Sequence, residues 1–209
     1  ELEASYETAD KWILHQFNET VAKLRECLDK CSFMESAHLL YHFVWRNFCD
    51  WYVELIKPRL YVREGYTEQD RLVALSVALK MLDGILRILH PFMPFVTEEI
   101  WQKLREMIPD NWKKDPSFSH LSGISLVRAP FPTVSTDSFA SEADTFEEVI
   151  EIIYQVRKIR GEMNIAPAIK NDLFLLSDDE KTLEFLTSAQ GYFQGLLPLK
   201  SLTIAREAI

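Results

Sequence analysis

Cysteine is scarce in this sequence, and long apolar runs are missing from it. Only three of the 209 residues are cysteines, and two of them, Cys27 and Cys31, lie four residues apart in a helical pattern. This excludes a disulfide framework and favours a reducing compartment, so we expect a cytoplasmic protein. No run approaches the roughly 18 apolar residues that a membrane span needs, and the acidic start ELEASYETADKW does not resemble a signal segment. Because the sequence does not begin with methionine, we also expect a fragment of a longer chain.

Positive charge and glycine are also in short supply. The formal net charge is -9, and the sequence holds six glycines. An acidic chain has no general field that attracts nucleic acid, so DNA is not an expected partner and any RNA contact must be local. The phosphate-binding, metalloprotease and nucleophile motifs G-x-x-x-x-G-K, G-x-G-x-x-G, H-E-x-x-H and G-x-S-x-G do not occur. We therefore predict no catalytic residues and no cofactor bound by this chain.

Cys27 and Cys31, together with His15 or His38, are the residues from which a metal site could be imagined. Their spacing places both thiols on one side of a helix, but that side is the edge of its apolar stripe. Buried free thiols explain this position better than metal ligands do, because free cysteine behaves as a small apolar residue. We predict no metal site.

Apolar residues recur at helical spacing along the first half of the sequence, which is typical of helices with one buried face. In the first helix they are Ile13, Phe17, Val21, Leu24 and Leu28. The same pattern predicts a second helix that Pro58 ends, a third from about Arg71 to His90, and a fourth after HPFMPF. A capping signal at Thr67 precedes the third. We predict a mainly α fold in which residues 1–108 form an antiparallel helix bundle.

Composition changes after the fourth predicted helix. Residues 109–142 are rich in Pro, Ser, Asp and Asn and contain one short apolar piece, ISLVRA, so we predict a connecting loop with a short extended segment. Residues 143–209 are predicted to form a fifth long helix followed by a small α/β appendage. Within it DLFLL and SLTIA are the predicted strands, and DDEKTLEFLTSA is a predicted helix.

Helix one carries a bulky residue off its main apolar stripe. Trp12 either covers the end of the bundle or offers a flat surface on which an unstacked RNA base can lie. If it is such a platform, the polar residues around it are available for hydrogen bonds to the same RNA. These are Lys11, His15, Gln16 and Asn18.

The few basic residues occur in two clusters. Lys57, Arg59 and Arg63 follow the second helix and are predicted to contact the RNA backbone, and Arg157, Lys158 and Arg160 lie in the segment VRKIRGEM of the fifth. On a helical projection Arg160 falls inside the apolar arc and Arg157 at its margin, so their stems pack while their charged heads emerge. Such heads suit phosphate groups or base edges. Pairing with carboxylates of the bundle is an equally good interpretation of the spacing.

Several segments of the sequence resemble one family. KWILHQFNETV, FMESAHLLYHFVWRNFCDWYVELIKPRL, ILRILHPFMPFVTEEIWQKL and RKIRGEMNIAPAIK are similar to the anticodon-binding region of the valyl-tRNA synthetases, which are class I enzymes. The isoleucyl enzymes are the next most similar group. The resemblance implies a helix bundle of the class I anticodon-binding type. Its partners would be the anticodon stem-loop of a valine tRNA and the catalytic domain of the parent chain, which uses ATP to attach valine.

The HIGH and KMSKS signatures of that enzyme family are absent from the sequence. The resemblance therefore implies that this piece alone neither activates valine nor edits, and that its aromatic-rich second helix is a rigid scaffold. A rival hypothesis is an interdomain or protein-interaction bundle that docks a partner and has negligible affinity for RNA. Salt dependence separates the two, because RNA binding weakens steeply with salt and apolar docking does not.

Overall fold

The structure of the chain is a computed structural model that describes residues 5–63, 65–116, 118–135 and 139–206. These residues belong to two units, 1–140 and 141–209. Helices dominate the described part of the chain, and two strands form a small sheet in the second unit. The predicted fold class, mainly α with a small α/β appendage, is confirmed.

The first unit is a bundle whose helices follow the apolar pattern of the sequence. Its main elements are α1 (Thr8–Asp29), α2 (Phe33–Tyr41), a π-helical segment (His42–Tyr52), α3 (Val53–Leu60), α4 (Glu68–Leu89) and α5 (Pro94–Met107). Helices α2 and α4 and the π-helical segment lie against α1, while α5 lies against α4. The predicted cap of α4 is present as a reciprocal capping box between Thr67 and Asp70.

The second helix does not end at Pro58, so that prediction is wrong. Pro58 lies inside α3, which continues to Leu60. In the last turn the ring removes one backbone hydrogen bond, and the helix is ending there in any case. The preceding π-helical segment has wider turns than an α-helix, so the 3.6-residue period no longer predicts which side chains face inward. Asn47 in this segment is buried, and its side chain donates a hydrogen bond to Gln16.

The segment after α5 is part of the core and more than a connection. It contains three short 3₁₀ turns, Trp112–Lys114, Ser119–Ser122 and Leu126–Arg128. The predicted extended piece ISLVRA is therefore wrong, because Glu98 of α5 accepts hydrogen bonds at 3.0 Å from Ser125 Oγ and Leu126 N and holds a turn there. The apolar side chains of these turns join those of α4 and α5 in one cluster: Leu86, Trp101, Leu104, Ile108, Phe118, Leu121 and Leu126.

A buried acid on α4 holds this segment in place. Asp83 is 1% exposed and accepts a hydrogen bond from Trp101 Nε1 at 3.2 Å. Its second oxygen lies 2.8 Å from His120 Nε2 and 2.8 Å from the Arg87 guanidinium. One carboxylate thus joins α4, α5 and the second 3₁₀ turn.

The second unit contains α6 (Ala140–Glu162), β1 (Asn171–Leu176), α7 (Glu180–Ser188), α8 (Gln190–Leu196) and β2 (Leu199–Ala205). The strands are parallel, with Leu173 opposite Leu202 and Phe174 opposite Thr203. Parallel strands require a crossover connection, which α7 and α8 provide. The two strands and α7 are confirmed, whereas α8 is a helix that the sequence did not predict.

Candidate nucleic-acid interface

A buried ion pair fastens the start of α1 to the end of α3. The Arg59 guanidinium donates to both oxygens of Asp10, at 2.6 and 2.7 Å, and Tyr52 Oη donates to the same carboxylate at 2.7 Å. Asp10 and Tyr52 are fully buried, and Arg59 is 1% exposed. The prediction that Arg59 contacts RNA backbone is therefore wrong, because its charge is used inside the bundle.

The electrostatics of this cluster favour the charged pair. Burial alone lowers the pKa of Arg59, but the hydrogen bonds and charge of Asp10 outweigh it, and the net shift is upward. Burial and the adjacent Asp10 carboxylate raise the pKa of Tyr52 well above its ordinary value. A raised tyrosine pKa means that the neutral phenol stabilises the fold at neutral pH, and this contribution is lost only as the pH rises above about 10.

Trp12 is also buried, with 1% of its surface exposed. The prediction of a stacking platform is wrong, and the alternative interpretation, that Trp12 fills the bundle, agrees with this burial. The physical reason is that α1 is covered on several sides, by α2, the π-helical segment and α4. Its buried arc therefore extends beyond the apolar stripe that the sequence marks.

The polar residues beside Trp12 are engaged within the first unit. Gln16 Oε1 accepts a hydrogen bond from Asn47 Nδ2 at 3.2 Å, and Asn18 Oδ1 accepts one from Ser135 N at 3.2 Å. Lys11 Nζ lies 5.8 Å from the ring centre of Phe139, in cation–π geometry. These three side chains help to hold the bundle and the segment after α5 together.

The remaining predicted residues of the first unit reach its surface. His15 is half-buried, and Arg63 is exposed just beyond α3. Lys57 is half-buried, and its ammonium group donates to Glu54 at 2.5 Å. Of the eight residues predicted to contact RNA from this unit, these three keep part of their surface accessible, although the Lys57 ammonium is already held by Glu54.

Arg160, in the second unit, shapes the turn between α6 and β1. Its guanidinium donates to the carbonyl oxygens of Ile169 and Ala166, at 2.8 and 3.2 Å, and to the side-chain oxygen of Asn171. Arg157 is exposed and donates to the carbonyl oxygen of Leu196 at 3.1 Å. Both arginines therefore organise backbone and leave their outer surfaces to solvent, since Arg160 is only half-buried.

Arg160 donates to Asn171 and Arg157 donates to the carbonyl oxygen of Leu196, so the end of α6 lies beside the starts of the two strands. Five cations lie on these segments, a region that we call the basic end. Lys170 directly precedes β1, and Lys200 lies in β2 between Leu199 and Ser201, the partners of Asn171 and Asp172. Lys158, Lys170 and Lys200 are exposed. The members of the basic end are Arg157, Lys158, Arg160, Lys170 and Lys200.

Sequence reasoning found three of these five cations. Lys200 lies far from VRKIRGEM along the chain, and the parallel pairing of β1 with β2 brings it to the edge where Lys170 precedes β1. The one available signal is that Lys170 closes the segment RKIRGEMNIAPAIK. Two exposed acids, Glu162 and Asp172, lie on the same segments, so the five cations leave this edge with a net positive charge in a chain of net charge -9. An RNA backbone requires positive charge only locally.

Other kinds of site find little support in the part of the chain that the structure describes. Among those residues, no group of three or more His, Cys, Asp or Glu side chains is placed to hold a metal ion. All three cysteines are free, but Cys31 is exposed and Cys27 half-buried, so the expectation of buried thiols is wrong for Cys31. None of the described helices has the length and apolarity that crossing a membrane demands.

Comparison with known proteins places the chain in a family. Residues 10–175 match the model for the anticodon-binding domain of tRNA ligase. The chain is 39% identical to a valine–tRNA ligase of Enterococcus faecalis, over 95% of this chain and 21% of the relative. It is 34% identical to that of Symbiobacterium thermophilum, over 95% and 22%, and 38% identical to that of Streptococcus pneumoniae, over 94% and 20%. It thus spans about a fifth of the length of these curated relatives. With most of its length matched by the family model, the chain belongs to the anticodon-binding domains of tRNA ligases.

Proposed function

We propose that this chain binds the anticodon end of a valine tRNA as one domain of a valine–tRNA ligase. The relatives that share 34–39% of its residues carry that name. In this proposal ATP use and valine attachment belong to the rest of the ligase polypeptide, and this domain positions the tRNA. Three free cysteines support a cytoplasmic location.

The basic end is the observation that carries the proposal. RNA-binding proteins take much of their affinity from lysine and arginine contacts to phosphates, and such contacts need positive charge only where the backbone passes. Lys158, Lys170 and Lys200 supply exposed ammonium groups there, while Arg160 fixes the turn beside them by hydrogen bonds to two carbonyl oxygens. We assign phosphate contacts to the three lysines and to the outer face of Arg157.

Base recognition has a different requirement, which the first unit supplies in our proposal. Valine anticodons share adenine in the middle position and cytosine in the last, and unstacked bases are read by hydrogen bonds to their edges. His15, Lys57 and Arg63 offer donors and acceptors at the surface of the bundle. We assign the contacts with unpaired bases to His15, backbone contacts to Lys57 and Arg63, and the shaping of helix α1 to Lys11, Gln16 and Asn18.

Neutralising lysines of the basic end is expected to weaken tRNA binding by the same factor whatever the nucleotide sequence of the tRNA. Lys158→Ala or Lys170→Ala removes one phosphate contact, so each variant should bind valine tRNA about three- to tenfold more weakly, or about 0.7–1.4 kcal/mol. The slope of log K against log salt should also become shallower by about one per lysine. Fluorescence titrations at several salt concentrations measure both quantities.

Lys181→Ala is the matched control, because Lys181 is an exposed lysine of the same unit on α7, away from the basic end. Its affinity and salt slope should equal those of the unchanged chain. Equal losses at Lys181 and Lys158 would mean that only general charge matters. A salt-independent affinity would favour apolar docking in place of RNA contact.

A further inference from the structure

An apolar groove runs along one side of the bundle, between α2 with its π-helical continuation and the end of α4. It has a volume of about 400 Å³. We call this feature the apolar groove. The residues that line it are Ala37, Leu40, Tyr41, Val44, Trp45, Leu89, Phe92 and Met93. Every one of these side chains is apolar or aromatic, and none of them bears a formal charge.

Large parts of this lining are exposed to solvent. Tyr41 is 67% exposed, Trp45 57% and Met93 47%. The Tyr41 and Trp45 rings stack on each other, with centroids 6.3 Å apart and planes 15° from parallel, so they form a two-ring aromatic stack in the lining. Soluble proteins rarely expose contiguous apolar surface of this kind unless it binds something.

Further exposed apolar residues lie on α5, which packs against α4. Val96, Ile100 and Met107 are exposed there, at spacings of four and seven residues that put them along one side of the helix. Phe33 and Met34, at the start of α2, are also exposed. The apolar groove is thus a slot with one wall on α2 and its π-helical continuation and a floor at the end of α4.

RNA is a poor occupant for this slot. Single-stranded RNA sites combine aromatic platforms with a positive groove that follows the backbone, and the groove lining contains no cation. Helix-in-groove docking, in contrast, uses apolar anchors at i, i+3, i+4 and i+7 against an apolar channel.

We infer that the apolar groove docks the apolar face of a helix from the remainder of the same ligase polypeptide. The inference rests on the proposed function, in which this domain is one part of a valine–tRNA ligase. The matched region is 20–22% of the relatives' length, so about four-fifths of such a polypeptide lies outside it. A segment in the same polypeptide reaches a high effective concentration at the groove and outcompetes free partners. Contacts of this permanent kind are more apolar than transient ones.

Photo-crosslinking in the full-length ligase polypeptide tests the inference. The photoreactive residue p-benzoylphenylalanine replaces Trp45 in the groove or, as a control, Tyr61, which is 70% exposed beyond α3. After irradiation without tRNA, mass spectrometry should find crosslinks from position 45 to one apolar helical segment outside these 209 residues, and no such segment from position 61. Three results would overturn the inference. They are crosslinks from position 45 to a second ligase molecule, no crosslink from position 45, and capture of the same segment in equal amounts by positions 45 and 61.

A repeat with valine tRNA present separates this inference from the proposed function. Binding of the tRNA is measured in the same samples. A ligase that fails to bind tRNA can still give the expected crosslink, and a ligase that binds tRNA can fail to give it. Capture of RNA by position 45 would overturn the docking inference while leaving tRNA binding intact. An unchanged protein crosslink in the presence of tRNA supports it.

Truncation of Trp45 provides a second readout. In the full-length polypeptide Trp45→Ala should lower the melting temperature of this domain by about 2–4 °C, because a docked side chain is lost. In the 209-residue chain the same change should shift it by less than about 1 °C, since the side chain is already exposed. Equal shifts in both proteins would contradict docking.

Discussion

Replacement of Asp10 by alanine is expected to lower the free energy of unfolding of the first unit by about 3–5 kcal/mol. The substitution leaves the Arg59 guanidinium buried, 1% exposed, without the carboxylate to which it donates at 2.6 and 2.7 Å. It also removes the acceptor of Tyr52 Oη. Glu7 lies 3.6 Å from Arg59 Nε and compensates only in part, because it is partly exposed to solvent.

Urea denaturation followed by circular dichroism measures this loss. Asp29→Ala is the control, since Asp29 is an exposed acid at the other end of α1, and its effect should stay within about 0.5 kcal/mol. The double variant Asp10→Leu with Arg59→Met should be more stable than Asp10→Ala, because no unpaired charge remains buried. A loss below about 1 kcal/mol for Asp10→Ala would show that the pair does not hold α1 to α3.

Replacement of Asp83 by alanine is expected to be similarly costly, again by about 3–5 kcal/mol, because it leaves the Arg87 guanidinium without its buried partner. Arg87 also donates to the carbonyl oxygen of Pro130 at 3.0 Å. Destabilisation of Arg87 therefore also destabilises the segment after α5. Trp101 Nε1 and His120 Nε2 lose a shared acceptor at the same time. We expect the turn Ser119–Ser122 to loosen before the helices unfold.

Two measurements separate the global and the local parts of this effect. Urea denaturation gives the change in the free energy of unfolding, and limited proteolysis reports opening near residues 119–122. Glu99→Ala serves as the control, because Glu99 forms an exposed ion pair with Lys103 on α5 and should contribute about 1 kcal/mol or less. Resistance of the Asp83→Ala variant to proteolysis at that turn would contradict the proposed anchoring.

The helices of this chain could be predicted from sequence because local signals define them. The apolar stripe of α1 and the capping signal at Thr67 depend on residues within a few turns, and both agree with the structure. Burial of Arg59 could not be predicted in this way. Its partner Asp10 lies 49 residues earlier, and a lysine- and arginine-containing helix end usually marks a solvated surface.

The segment after α5 shows a second limit of local reasoning. Its proline, serine and asparagine content is typical of a loop, and it does lack long helices. Phe118, Leu121 and Leu126 nevertheless complete a core cluster, because the 3₁₀ turns aim them at α4 and α5. Isolated apolar residues without a period give no signal of burial, so composition alone underestimates such segments.

The candidate site was predictable to the extent that its charges are neighbours in sequence. Arg157, Lys158 and Arg160 share one helical turn and were found, whereas Lys200 joins them only through the register of two parallel strands. Trp12 failed as an RNA contact for the opposite reason. Its chemistry suits base stacking, but the surrounding helices cover it.

A fluorescence titration with two tRNAs tests the central claim most directly. One is a valine tRNA transcript, and the other differs from it only at the two anticodon bases that valine tRNAs share, with both measured at about 100 mM salt, where local charges still act over a Debye length of about 10 Å. We predict tighter binding to the intact anticodon, by about 1–3 kcal/mol for each base that is read. Equal binding of the two transcripts, or no binding of either, would contradict the proposal that this domain recognises the valine anticodon.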